Sequence, residues 1–293
     1  MTSLNWHPDG TRIASGGDDQ TVKIWDSTAG ETILILPCNG AVNHVEWSPD
    51  GKMLAAQEKS GTIRIWDTTA GSEFADSKSF QALVTRRVLN DFQAACEAED
   101  FPLATQQGMM LLDREGERGA VYYYNLALLL AAEHDNRYVD VCARILKRFT
   151  DSEQSSETYF AAWTCALAPN SLDGYSDAIA LGRAAVETEP TNSQFLNALG
   201  AILMRAGMYA EAKPFLEGTV SNPGDESTSK TYTFYFLAMT EHHLGNAEAA
   251  RKHLTTANDL ADKELAGSTS WNRRLTMELL RTEAQTLIGD AGQ

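Results

Sequence analysis

Residues 21–26 read Thr21-Val22-Lys23-Ile24-Trp25-Asp26, and 41 positions later the chain reads Thr62-Ile63-Arg64-Ile65-Trp66-Asp67. The same spacing carries Trp6-His7-Pro8-Asp9-Gly10 onto Trp47-Ser48-Pro49-Asp50-Gly51, and Thr28-Ala29-Gly30 onto Thr69-Ala70-Gly71. In each copy an apolar–polar alternation, Val22-Lys23-Ile24 or Ile63-Arg64-Ile65, has the two-residue period of a strand buried on one face. Each Pro-Asp-Gly supplies a turn, because Pro presets φ, Asp bonds its own backbone and Gly accepts positive φ. Residues 1–75 are therefore two copies of one strand–turn unit.

Units of this length closed by Trp-Asp resemble blades of a WD-repeat β-propeller. The resemblance implies a buried polar network of His, Ser/Thr, Asp and Trp in each blade. In the first copy Ser15, Asp19 and Trp25 stand at the implied places, and the His position falls before Met1. In the second copy Trp66 remains, while Cys38, Ala56 and Ser60 stand where His, Ser and Asp are implied. A network missing members contributes less than a complete one, so the second blade is expected to rely on packing. A closed propeller has at least about four blades, and two are legible here. The expectation is an incomplete propeller, either the C-terminal remainder of a longer polypeptide or one completed by other copies through its open edges.

From about Phe80 the punctuation changes, and Ala- and Leu-rich stretches of helical period alternate with short polar breaks. The clearest unit runs Leu196, Leu199, Gly200, Leu203, Gly207, Tyr209, Ala212, Leu216 and closes at Pro223. Small residues recur at Ala127, Ala166, Gly200 and Ala238, spaced 39, 34 and 38 apart. This pattern resembles tetratricopeptide repeats, helix pairs whose period is about 34 residues. Two linkers are expected to be lengthened, at Thr150–Glu157 and Gly224–Lys230. Asp91–Leu112 is expected to add a divergent repeat, and Trp271–Ile288, with Leu275, Leu279, Leu280 and Leu287, a C-terminal capping helix. The fold expected is thus multidomain β + α. A partial propeller of two blades (1–75) and a linker (76–90) precede an all-α tetratricopeptide-repeat solenoid (91–293). The order of repeat types, with the run Ala162-Trp163-Thr164-Cys165-Ala166-Leu167-Ala168-Pro169, is similar to the C-terminal region of large bacterial multidomain proteins, some of them Ser/Thr protein kinases. That resemblance implies a regulatory region of a signalling protein.

The 293 residues include 24 Lys and Arg against 40 Asp and Glu, a formal net charge of −16. Residues 1–75 carry −5 of it and the helical region −11. That sign excludes binding to nucleic acid through a broad basic footprint and disfavours anionic membrane surfaces. The four cysteines form no C-x-x-C pair, and no basic-then-apolar leader opens the chain. A cytoplasmic protein is expected. The phosphate-loop, dinucleotide, nucleophile-elbow, zinc-protease and kinase motifs are all missing from the sequence, so neither catalysis nor a cofactor or metal is expected.

One constellation points to binding. Three residues before the small residues come Tyr124, Trp163, Asn197 and Tyr235, one per repeat and on the same side of the first helices. In tetratricopeptide proteins that side lines a concave peptide groove, and aromatic residues dominate interface energies. Asn125, Gln194, Arg205, Tyr232, His242 and His243 are expected beside them. Packing of these aromatics between repeats is the competing expectation. The resemblance also implies groove lysines that hold a peptide carboxylate, and this sequence lacks them. The expected function is a non-catalytic protein–protein interaction scaffold whose partners are proteins or peptides, basic or amphipathic rather than acidic.

Overall fold

The computed structural model describes residues 1–68, 88–112, 119–221 and 229–289. The chain divides into two compact units, Met1–Val84 and Thr85–Gln293.

In the first unit β1 (Ser3–Trp6), β2 (Arg12–Gly16), β3 (Thr21–Asp26) and β4 (Thr32–Pro37) form one antiparallel sheet in chain order. A second sheet contains β5 (Val42–Trp47), β6 (Met53–Glu58) and β7 (Ile63–Asp67). The 41-residue period survives into register, with Trp6 opposite Ile13 in the first sheet and Trp47 opposite Leu54 in the second. The Pro-Asp-Gly turns form because Gly10 and Gly51 take φ of 73° and 70°. Ala14, Val22, Ile24 and Leu36 of the first sheet share one core with Val42, Val45, Trp47, Leu54, Ala56 and Trp66. Polar bonds stitch the seam: the Val45 N–H donates to Ser3 Oγ (3.1 Å) and the Trp47 N–H to Asn5 Oδ1 (2.9 Å).

Of the implied blade network, Trp25 Nε1 donates to Ser15 Oγ at 2.8 Å. Asp19 instead accepts from Thr21 and Lys23, at the surface. In the second sheet Cys38 and Ala56 are core residues, in line with reliance on packing. A different polar group replaces the network there. The buried Glu58 carboxylate accepts from Arg64 Nε at 2.6 Å and from the Asn39 N–H at 3.1 Å. Arg64 holds its carboxyl below the usual glutamate range.

The second unit is helical throughout its described residues. Helix α1 covers 88–97 and α2 Phe101–Leu112. Four hairpins follow: α3 (Ala120–Ala132) with α4 (Arg137–Phe149), α5 (Ser155–Ala166) with α6 (Ser176–Thr188), α7 (Ser193–Arg205) with α8 (Tyr209–Ser221), and α9 (Lys230–His243) with α10 (Ala247–Leu265). Within the stack α3, α5, α7 and α9 lie side by side as an inner row, each also packed on the preceding outer helix where one exists. This is an all-α repeat solenoid, joined in the chain to a two-blade partial propeller. Gly200 marks a crossing that admits no side chain, since a Cβ there would lie 2.6 Å from Leu216 Cγ. Gly207 (φ 76°) and Gly245 (φ 82°) turn the last two hairpins.

Three expectations need correction or relocation. The linker expected over 76–90 is already helical at 88–90, and its remainder lies outside the described residues. The Gly224–Lys230 linker, Pro223 and the second Thr-Ala-Gly also fall wholly or largely outside them. The unit built on Ala166 is one turn out of step. Gly200 and Ala127 are the eighth residues of their helices, whereas Ala166 is the last residue of α5.

The final helix, α11 (Trp271–Ile288), packs on α9 and α10 as an end cap would, and it also packs on α3. It therefore bridges the first and last inner helices of the four hairpins. Eighteen residues at 1.5 Å per residue give it a length of about 27 Å, enough to cross such a row.

Candidate functional site

The inner row reads as almost continuously apolar: Ala120-Val121-Tyr122-Tyr123-Tyr124-Asn125-Leu126-Ala127-Leu128-Leu129-Leu130 opens α3, and only Val121 and Asn125 of this stretch are not buried. A helix hydrophobic on all sides needs cover on all sides. The outer helices cover one side, and α11 supplies cover on the inner one.

The contacts with α11 run through the residues expected to bind peptide. Tyr124 Oη lies 3.1 Å from Thr276 Oγ1. The Tyr232 hydroxyl donates to the Arg273 carbonyl at 3.2 Å. Arg281 Nε donates to Tyr235 Oη at 2.9 Å, and that hydroxyl donates onward to Asn258 Oδ1 at 3.0 Å. Arg205 pairs with Glu283 (Nη2 to Oε2, 2.7 Å) and also donates to the carbonyls of Ala166 and Leu167, closing the C-terminus of α5. Burial pushes the hydroxyls of Tyr124, Tyr232 and Tyr235 above the ordinary tyrosine range. Trp163 stacks on Tyr232 (5.7 Å) and meets Phe236 edge-on (5.9 Å). Asn197 is buried and accepts from Thr233 Oγ1 at 2.8 Å.

Among the described residues two openings lie beside α11. Tyr124, Trp163, Gln194, Asn197 and Tyr232 do come together, around a small cavity of about 240 Å³ that Asn272 and Arg273 of α11 help to close. On the other side of α11 lies a cleft of about 750 Å³. Its walls are Leu275, Leu279, Thr282, Glu283 and Leu287 of α11 and the C-terminal ends of the inner helices. Those ends contribute Ala131 and Ala132, Ala168 to Asn170, Met204 and Arg205, and Met239 and His243. Of the expected site residues only Arg205 and His243 line this cleft. His243 is exposed and stacks on Tyr209 at 4.4 Å. Partial burial and the neighbouring His242 lower its pKa. Tyr235, Asn125 and His242 line neither opening.

The cleft residues missed by sequence reading include the inner-helix ends, such as Ala131, Met204 and Met239, and those on α11, whose Leu275–Leu279–Leu287 spacing signalled an apolar face without saying what it faces. Chemically the cleft offers apolar walls, four helix C-termini with partial negative charge, and the carboxylates of Glu278 and Glu283. Among the described residues no three His, Cys, Asp or Glu side chains gather as a metal-binding group, and all four cysteines are free and buried. No helix among the described residues is long and apolar enough to cross a membrane.

The WD domain, G-beta repeat family model matches residues 1–26 and 30–67. No curated protein matches the chain. Among solved structures, a MamA fragment from Desulfovibrio magneticus RS-1 is 15% identical, with a TM-score of 0.39, covering 63% of this chain and 97% of that one. MamA of MSR-1 is 16% identical (TM-score 0.39, 62% and 98% covered), and MamA of AMB-1 is 17% identical (TM-score 0.39, 60% and 98% covered).

Proposed function

We propose that this chain is a non-catalytic, cytoplasmic protein–protein interaction scaffold with two modules, residues 1–75 and residues 91–293. Repeat folds of both kinds bind proteins through extended surfaces, which supports the scaffold reading. The observation that carries the finer reading is the cleft between α11 and the inner helices. It is mostly apolar, about 750 Å³ in volume, and larger than the 240 Å³ cavity at the other opening. Its occupant is a basic, amphipathic peptide segment of a partner. Apolar side chains of that segment enter between Leu279 and Met239, and its cationic groups meet Glu278 and the helix C-termini. Around Tyr124, Trp163, Asn197 and Tyr232 α11 leaves a cavity of only about 240 Å³, and Tyr235 is bonded to Arg281, which supports placing the docking surface at the larger cleft.

Photo-crosslinking tests this. With p-benzoylphenylalanine at Leu279, in the cleft, the crosslinked partner segment should be basic and amphipathic. The same group at the exposed Lys147 on outer helix α4 should give no such product. Crosslinks of equal yield from both positions, or an acidic segment at Leu279, would overturn the reading.

A regulatory role within a Ser/Thr protein kinase system rests on the order of repeat types and on the run Ala162–Pro169. Ala162 to Leu167 are all buried in the packing of α5 and its end, a structural use of that run, so the scaffold reading stands first.

A further inference from the structure

Each sheet of the β unit has two faces, and among the described residues only one face of each is packed against the other sheet. The face formed by Val45, Trp47, Leu54 and Ala56 on the second sheet packs against the face formed by Ala14, Val22 and Ile24 on the first. The 41-residue period carries the used positions onto the unused ones. Leu4 and Trp6 hold the places of Val45 and Trp47, and Ile63 and Ile65 those of Val22 and Ile24. Val45, Trp47, Val22 and Ile24 are 0, 5, 0 and 4% exposed. Leu4, Trp6, Ile63 and Ile65 are 48, 54, 64 and 42% exposed. Ile33 and Ile35 of β4 lie bare as well. The outward faces are thus the two complementary halves of a joint that the chain already makes once internally. They are faces, not the strand edges expected from sequence.

The polar groups repeat in the same way. In the internal joint Lys59 Nζ lies 2.7 Å from Asp18, and these two residues are themselves 41 apart. In a joint between copies, the place of Asp18 is taken by Lys59 of one copy and the place of Lys59 by Asp18 of the next. The charges again oppose, with the signs exchanged. Asn5, whose Oδ1 accepts from the Trp47 N–H, corresponds to Glu46, whose carboxylate would accept from the Trp6 N–H of the next copy in such a joint.

We propose that copies of this chain associate head to tail through the β unit, the Ile63/Ile65 face of one docking on the Leu4/Trp6 face of the next. Such a contact is heterologous, so it closes into a ring when the rotation permits. With two blades per copy, rings of about four to eight blades correspond to two to four copies. The proposal is independent of what the solenoid cleft takes.

Light scattering on the purified full chain and two variants tests it. The wild type should run at two, three or four times the chain mass. Trp6→Asp and Ile63→Asp, each placed on an exposed side chain, should each run as monomers with unchanged far-UV circular dichroism. Mixing them should give a species of twice the chain mass, because each supplies the intact face that the other lacks. Leu4→Asp and Ile65→Asp are the second pair should either first variant fail to fold. A monomeric wild type, an oligomer unaffected by these variants, or a mixture that stays monomeric would each overturn the proposal. Cleft binding, read by the Leu279 crosslink, should persist in the monomeric variants.

Discussion

Both units of this protein are repeat arrays, and the last repeat of any array presents a face for which no next repeat exists. The helical unit covers its exposed inner row with a segment outside the repeat: α11 packs on α3, α9 and α10 and ties down Tyr124, Arg205, Tyr232 and Tyr235. The β unit leaves Leu4, Trp6, Ile63 and Ile65 in solvent. The difference teaches where each unit can be approached. A covered array offers only the clefts left beside its cover, whereas an uncovered one offers the whole joint. Residue type alone does not separate the two cases, because Trp6 and Trp163 are both large aromatics on a repeat face.

The largest effect should come from treating those two tryptophans alike. Trp163 is buried between Tyr232 and Phe236. Its replacement by Ala should cost the solenoid about 3–5 kcal/mol, seen as a lower midpoint in urea melts followed by far-UV circular dichroism. Trp6→Ala, measured at a dilution where copies are apart, should change the β unit's stability by no more than about 0.5 kcal/mol. Equal costs at the two positions would break the comparison.

That contrast also shows how far the sequence could be read. The 41-residue period and its turn residues suffice for the strands, because register, alternation and positive-φ glycines all follow from short-range rules. The helix pairs are similarly legible from Gly200, Gly207 and Gly245, each tied to a local requirement. The candidate groove is harder. Tyr124, Trp163, Asn197 and Tyr235 occur at groove positions, and what decides their role is a contact with a helix 36 or more residues further on. A signal for it does exist in α3, where Tyr122 to Leu130 contains one polar side chain, Asn125, apart from the tyrosine hydroxyls. An open groove needs a polar or at least mixed lining, and a helix apolar all round announces a cover. The period of one turn lost in α5 has no such local signature, since Ala162 and Ala166 fit a close crossing equally well.

A middle-sized effect should separate the cover from the array beneath it. Arg205 has its side chain almost fully buried and holds both the Glu283 carboxylate and two carbonyls at the end of α5. Arg205→Ala orphans all three acceptors and should cost about 3 kcal/mol. Glu283→Ala removes only the α11 side of the pair, leaving Arg205 its backbone acceptors. It should speed hydrogen exchange in the C-terminal half of α11 while leaving α7 protected. If α7 and α11 lost protection together, α11 would be part of one cooperative array and not a separate cover.

The smallest effect tests one hydrogen-bonded carboxylate in each unit, buried Glu58 in the β unit and half-buried Glu264 in the solenoid. In the solenoid, burial alone would raise the Glu264 carboxyl, yet the hydroxyls of Thr231 and Ser229 and the Arg273 guanidinium hold it below the ordinary value of 4.5. In the β unit the Arg64 hydrogen bond does the same for Glu58. A carboxyl lowered in the folded state binds protons more readily when unfolded. Its contribution is therefore complete above pH 4.5 and is lost as pH falls through the lower folded value. Melting temperatures of both units should be level from neutral pH down to that point and then fall. Glu58→Gln should make the acid limb of the β unit alone shallower, and Glu264→Gln that of the solenoid alone, the other lowered carboxyls of each unit keeping part of it. An acid limb in the β unit that persists unchanged in Glu58→Gln would mean that Arg64 and Asn39 do not hold the second blade together. Its stability would then rest on the shared apolar core and on the polar bonds across the seam between the sheets.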